Sequence, residues 1–117
     1  MNKAHTNSYE LKDLNVCENN LQATLFIPDN LIHFDGHFDD MPILPGVVQT
    51  HWAINLAKAH LNISSDFEGI QVIKFTQIII PSSTIQLVID YNPHKNMIDF
   101  KYSSDKGDHS SGKVNFS

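Results

Sequence analysis

The stretch from Gly46 to Leu61 restricts the fold more than any other feature, because it is a helix that cannot remain fully exposed to water. After Gly46 it contains neither proline nor glycine, so nothing interrupts a helix of about four turns. Its two stripes are Val47, His51, Ile54, Lys58 and Leu61 on one face, and Val48, Trp52, Leu56 and Ala59 on another. A helix that is apolar on two faces requires other elements to cover it.

The segments that flank this helix alternate between apolar and polar residues, which is typical of strands with one buried face. The predicted strands are 21–27, 70–80, 84–91 and 98–102, with a short last strand at Val114 and Phe116. The segments 31–45 and 103–111 are predicted to be loops. One apolar helix followed by hairpin-linked strands predicts an α+β domain, with an antiparallel sheet packed against a single helix.

Length and charge exclude several classes of protein. The 117 residues are enough for one domain, spanning 1–117. Eight lysines stand against thirteen acidic residues, and there is no arginine, so we expect no nucleic-acid partner. The longest aliphatic run, 78–80, is far shorter than the roughly 20 residues of a membrane span, and no secretory signal is recognisable. We expect a soluble cytoplasmic protein whose single Cys17 lies in the core.

The most informative stretch runs from His33 to Ala53 and reads HFDGHFDDMPILPGVVQTHWA. His37 and the following Pro42, Pro45 and Gly46 fit the spacing of the pattern G-H-F-P-G-x-P-x-x-P-G-V. The stretch therefore resembles the active-site loop and central helix of the FabA/FabZ-type 3-hydroxyacyl-[acyl-carrier-protein] dehydratases. Within that family, the run PILPGVVQ followed by Trp-Ala is most similar to the small ApeI-like branch associated with aryl polyene biosynthesis.

This resemblance implies both a fold and an activity. The fold would be the hot-dog fold, in which an antiparallel sheet wraps around one long central helix. Two chains would pair as a homodimer with the active sites at the interface. The activity would be reversible loss of water from a 3-hydroxyacyl thioester on an acyl carrier protein, in fatty-acid or polyene-type lipid biosynthesis. No cofactor and no metal would be needed.

Water elimination requires one group that takes a proton beside the carbonyl and another that protonates the leaving hydroxide. A neutral imidazole suits the first task, so His37 is the expected base. In the family, an acid fourteen residues later on the partner chain performs the second task. Here that position is His51, and Asp39 and Asp40 stand where the pattern has Pro-Gly. We expect His51 to act as the acid or to position water, with Asp39 or Asp40 as a possible substitute acid.

The thioester oxygen gains negative charge during the reaction, and backbone N–H groups at a helix start can bind it. The N–H groups of Gly46 and Val47 are the expected donors. A glycine at this position would also let the thioester approach the backbone closely.

Three other interpretations remain. The histidine at position 51 favours a catalytically lapsed subunit that binds an acyl carrier or pairs with a different chain. A hot-dog thioesterase is less favoured, because such enzymes usually lack the P-x-x-P-G run. A zinc site of His33, His37 and His51 is disfavoured, because Gly36 argues against the helix that would align the first two.

Overall fold

The computed structural model describes residues 8–30 and 43–117, and these form one helix and six strands. The elements are β1 (Glu10–Cys17), β2 (Asn20–Phe26), α1 (Gly46–His60), β3 (Phe67–Phe75), β4 (Thr84–Asn92), β5 (Met97–Ser104) and β6 (Gly107–Phe116). All neighbouring strands pair antiparallel, in the order β1-β2-β4-β5-β6-β3. The predicted α+β architecture is confirmed.

The core lies between α1 and one face of the sheet. Register places Leu21 opposite Ile89 and Leu25 opposite Ile85, so the inward residues of β2 and β4 meet in rows. Each of these side chains is fully buried, and burial of a side chain of this size stabilises the fold by about 1.5–3 kcal/mol. From α1, the buried apolar residues are Trp52, Ala53, Leu56 and Ala57. Of the second predicted stripe, Trp52 and Leu56 are buried, whereas Ala59 is exposed.

Both ends of α1 follow local rules. Pro45 is the N-cap in an extended conformation, and its ring is compatible with a helix start because first-turn N–H groups have no helical acceptor. The helix ends when the Leu61 N–H donates to the Ala57 carbonyl at 2.8 Å, and Asn62 follows with a positive φ of 56°. Lys58 lies in the last turn, where a positive charge is favourable.

The predicted loop 103–111 is wrong. β5 continues to Ser104 and β6 begins at Gly107, so only two residues connect them. Gly107 has a φ of 108°, which a residue with a side chain rarely adopts. The β6 residues His109 and Ser110 are polar, yet they are buried and hydrogen-bonded. Because polar residues stand at these buried positions, the hydropathy pattern did not indicate a strand.

The strand predicted over 70–80 is displaced. β3 begins at Phe67 and ends at Phe75, and the following segment 76–83 connects it to β4. In that segment Ile79 is buried, which explains its apolar character without a strand. The N–H groups of Thr76 and Gln77 both donate to the His109 carbonyl, at 2.9 and 3.1 Å.

β1 was not predicted, and the expectation for Cys17 was wrong. Every residue of β1 except Leu14 is exposed, so the strand has no alternating pattern. Cys17 is exposed at the end of β1.

No helix in the described part of the chain is long and apolar enough to cross a membrane.

Candidate active site

The structure describes part of the predicted site. Gly46, Val47 and His51 lie in the first half of α1. The other candidates, His33, His37, Asp39 and Asp40, lie outside the described residues. The described part of the site consists of the start of α1 and the elements that contact it.

The start of α1 has backbone donors that the helix itself does not use. The N–H groups of Val48 and Gln49 both donate to the Pro45 carbonyl, at 3.1 and 3.2 Å. Those of Gly46 and Val47 come earlier, where an α-helix supplies no acceptor. Pro45 offers no side-chain cap, and the first turn carries no acidic residue. This end of the helix is suited to an oxygen that carries negative charge.

An apolar groove of about 630 Å³ begins at this helix start and runs between α1 and β3. Its residues from α1 include Val47, His51 and Ile54, and those from β3 are Phe67, Ile70, Ile73 and Phe75. The side chain of Val47 is 77% exposed, and that of His51 is exposed as well. The first half of the stripe that contains His51 is thus open along the groove, which differs from the expectation that other elements cover both apolar faces of the helix.

Phe75 packs directly against Gly46. A Cβ atom added to Gly46 would lie within 2.8 Å of three atoms of the Phe75 ring. We expected glycine here to admit the thioester, whereas in this structure the space beside its Cα is taken by an aromatic ring that is itself 51% exposed. Phe75 therefore forms the wall of the groove nearest the helix start.

His51 also borders a second depression, of about 520 Å³, which shares Val47, His51 and Asn55 with the groove. There Tyr9 packs edge-on against Trp52, with ring centroids 4.9 Å apart. Burial raises the pKa of the Tyr9 hydroxyl. His51 thus lines both the groove and this second depression, and Tyr9 lines the second one.

Beneath the first turn lies a buried hydrogen-bond network that the sequence analysis missed. Gln49 is 3% exposed and accepts two hydrogen bonds. The Tyr102 hydroxyl donates to its backbone carbonyl at 2.6 Å. The Ser110 hydroxyl donates to its side-chain Oε1 at 2.7 Å. Its Nε2 donates to the Leu44 carbonyl at 3.1 Å. A glutamine on the buried face of an apolar helix was the available signal, because buried amides require partners.

A separate cavity of about 750 Å³ lies beside the β5–β6 turn. Ser104 Oγ and His109 Nε2 are 2.7 Å apart there, and His109 Nδ1 lies 3.0 Å from the Ile78 carbonyl. Ser104 Oγ also accepts the Lys106 N–H at 3.1 Å. These contacts anchor the turn to the segment before β4, and they account for the burial of His109.

The residues described in the structure include no group of three or more histidine, cysteine or acidic side chains placed to hold a metal ion. Of the three histidines in the zinc alternative, the structure describes only His51.

The sequence matches the ApeI-like family, described as ApeI dehydratase, over residues 13–113. Comparison with curated proteins gives no significant match. Among solved structures, a similar chain belongs to the dehydratase heterocomplex ApeI:P from Xenorhabdus doucetiae. The TM-score is 0.87 and the identity 28%, covering 92% of this chain and 96% of that chain.

Two further structures extend this comparison. An uncharacterized protein from Erwinia carotovora subsp. atroseptica is 32% identical with a TM-score of 0.79, over 92% of each chain. The dehydratase domain from the CurF module of curacin polyketide synthase is 15% identical with a TM-score of 0.66, over 92% of this chain and 42% of that one. The predicted hot-dog fold is confirmed. With a family match over 13–113 and the loop-and-helix motif within it, the chain belongs to the ApeI-like dehydratase family.

Proposed function

We propose that this chain is a subunit of a dehydratase that acts on 3-hydroxyacyl thioesters bound to an acyl carrier protein. The observation that carries the proposal is the arrangement at the start of α1. Two backbone N–H groups without a helical acceptor lie at one end of an apolar groove, and an exposed imidazole lies along its side. A polar thioester with an apolar tail has the matching chemistry.

In the proposed reaction, the imidazole of His37 takes a proton from the carbon next to the thioester carbonyl. Negative charge then develops on the thioester oxygen, and the N–H groups of Gly46 and Val47 stabilise it. The carbon–oxygen bond at the 3-position breaks, a double bond forms, and protonated His51 gives its proton to the departing hydroxide. Water leaves and a 2-enoyl thioester remains. The scheme consists of two proton transfers and the cleavage of one carbon–oxygen bond, and proton exchange with water then returns both histidines to their starting states, so no cofactor is used.

Asp39 and Asp40 are the substitute acids in this scheme. A carboxyl group in either position would perform the protonation that the family assigns to its acid, with His51 then orienting the hydroxyl group.

The partner in the assembly is proposed to be a second copy of this chain. Among the strands that the structure describes, β3 lies at an edge of the sheet and pairs with β6 alone. Apolar side chains on it are exposed to between 37% and 51%, and these are Phe67, Ile70, Val72, Ile73 and Phe75. A long apolar strand with a free edge favours pairing with another strand. In this proposal, His51 of one chain acts together with His37 of the other.

A second candidate function is a catalytically lapsed subunit that binds acyl chains beside an active partner. The observation that favours it is His51 in place of the family's acid. The similar Xenorhabdus chain belongs to a complex described as a dehydratase heterocomplex, which supports pairing with a different chain.

The test is an assay of the purified protein with a short 3-hydroxyacyl thioester of an acyl carrier protein, following enoyl formation and free thiol together. We expect enoyl product without free thiol, and loss of activity in His37→Ala. His60→Ala is the control, because His60 is an exposed histidine at the end of α1 remote from the proposed oxyanion donors. Release of thiol would instead indicate a thioesterase. Tight acyl binding without turnover would indicate the lapsed subunit.

A further inference from the structure

We propose that Gln49 is a positioning residue for the oxyanion donors of α1. It fixes Leu44, where the chain enters the helix, to the sheet, and thereby sets the orientation of the Gly46 and Val47 N–H groups. The inference rests on the dehydration proposed above, because it concerns the donors which that reaction uses.

Packing alone does not explain a glutamine at this position. Its neighbours on the buried face of α1 include Trp52, Ala53 and Leu56. An apolar side chain of similar size would fill the same space without the free-energy penalty of removing an amide from water. Gln49 overcomes that penalty only because Ser110 and Leu44 satisfy both ends of its amide.

The two bonds join elements that are far apart in the sequence. Ser110 belongs to β6, sixty-one residues after Gln49, whereas Leu44 precedes the helix by two residues. The amide therefore bridges the sheet and the entrance to the helix. Its backbone carbonyl accepts the Tyr102 hydroxyl, so β5 holds the same residue from a third direction.

Both peptide groups that flank the Cα of Leu44 are hydrogen-bonded. Its carbonyl accepts Gln49 Nε2, and its N–H donates to the Ile79 carbonyl at 2.8 Å. Ile78, the residue before Ile79, accepts a hydrogen bond on its carbonyl from His109. His109 is the neighbour of Ser110 in β6. The adjacent residues His109 and Ser110 thus restrain Leu44 through two independent routes.

This restraint acts where the proposed chemistry requires accuracy. The peptides that carry the Gly46 and Val47 N–H groups lie between Leu44 and the first helical hydrogen bonds. If the Leu44 carbonyl were released, these peptides could rotate about the start of the helix. A displacement of about 1 Å in a positioning element can lower a rate by about 10²-fold.

The variant Gln49→Glu tests this directly, since it keeps the size of the side chain. A protonated carboxyl can donate to the Leu44 carbonyl and accept from Ser110, as the amide does. An ionised carboxylate cannot donate, and it would face the Leu44 oxygen. Burial would raise the pKa of the introduced carboxyl above the usual glutamate range. The hydrogen bond from residue 49 to the Leu44 carbonyl is therefore present at low pH and lost at high pH in this variant.

We expect kcat of Gln49→Glu to be about 10²-fold below wild type at high pH and to approach wild type as pH falls. The comparison is the ratio of the two kcat values at each pH, with KM unchanged. Ser110→Ala should lower kcat in the same direction, and Ser111→Ala is the control, because Ser111 lies next to it on β6 outside this network. A constant ratio at all pH values, or an effect confined to KM, would overturn the inference.

Failure of the proposed function can be told apart from failure of this inference. If wild type shows no dehydration, amide hydrogen exchange at Leu44 and Val48, whose N–H groups are hydrogen-bonded on either side of the helix start, still measures the restraint. In Gln49→Glu, exchange relative to wild type at the same pH should be faster at high pH and equal at low pH. Equal exchange at both extremes would contradict the positioning role regardless of the reaction.

Discussion

The ring of Phe75 lies where a side chain on Gly46 would begin. Three of its ring atoms are within 2.8 Å of the position that a Cβ at Gly46 would occupy. Gly46 opens α1, and Phe75 closes β3, so this contact joins the proposed oxyanion donors to the strand that forms the groove wall. The contact makes the helix start sensitive to the size of residue 46.

The first prediction concerns Gly46→Ala. The outer atoms of the Phe75 ring meet the new methyl group, and the ring is half exposed, so it can turn away. We expect the free energy of unfolding to change by less than about 1 kcal/mol, because the clash is relieved and alanine favours the helix. Activity should fall at least about tenfold, because the displaced ring enters the groove.

The control for this prediction is the double variant Gly46→Ala/Phe75→Ala. Removal of the ring should restore much of the activity that Gly46→Ala loses, and a double-mutant cycle measures the coupling. If the two substitutions act additively on kcat/KM, the ring is not the cause of the loss.

The second prediction concerns His51. The variant His51→Ala removes the proposed acid and should reduce the rate of dehydration by about 10²–10⁴-fold, the usual contribution of general acid–base catalysis. His51→Asp supplies a carboxyl group at the family's acid position and should retain more activity than His51→Ala. Single-turnover measurement of enoyl formation compares the three proteins.

Two outcomes would contradict this role for His51. Activity of His51→Ala equal to wild type would move the acid to Asp39 or Asp40. An inactive wild type combined with an active His51→Asp would identify the native chain as a lapsed subunit.

The third prediction concerns the edge of β3. Ile70 is 47% exposed, and a charge there would oppose apolar pairing between chains. We expect wild type to sediment with twice the mass of one chain and Ile70→Lys to sediment as a monomer. Leu11→Lys is the matched control, because Leu11 is 46% exposed on β1 at the opposite edge of the sheet. It should leave the dimer intact.

If wild type sediments as a monomer, the homodimer is wrong and a different chain is the required partner. Dissociation by Leu11→Lys but not by Ile70→Lys would place the interface on β1 instead of β3.

The parts of the fold that the sequence predicted are those determined by local pattern. The uninterrupted apolar stretch after Pro45 defined α1 to within a residue, because its end signals and its buried stripe are near one another in the chain. β1 escaped prediction, because Leu11 and Val16 are both exposed and no face of the strand is buried along its length. A strand at the edge of a sheet has no need of the alternating pattern.

The parts of the site that the sequence missed depend on contacts between distant residues. The motif indicated Gly46 and His51, since both belong to one short pattern. Gln49 stands within the same pattern, yet its partner Ser110 lies in a segment that read as a polar loop. Without the sheet register that brings β6 under α1, neither residue could be assigned a function.

The fourth prediction concerns Tyr102 and the stability of the fold at high pH. Burial raises the pKa of its hydroxyl well above the ordinary value of 10.0, and nearby Tyr9 adds to this. The folded state therefore keeps its proton at a pH where the unfolded chain has lost it. The unfolded state binds fewer protons above pH 10.0, so the free energy of unfolding decreases as pH rises from there through the folded-state pKa. Below pH 10.0 this contribution is fully present.

The variant Tyr102→Phe separates this effect from other alkaline titrations. Near neutral pH it loses the bond to the Gln49 carbonyl, and we expect the free energy of unfolding to fall by about 1 kcal/mol. Above pH 10.0 its stability should decrease less steeply than that of wild type, because one shifted titration has been removed. Tyr9→Phe provides the comparison, since the pKa of Tyr9 is also raised but its side chain is only partly buried. Denaturant unfolding over this pH range measures all three proteins, and parallel curves for wild type and Tyr102→Phe would contradict the assignment.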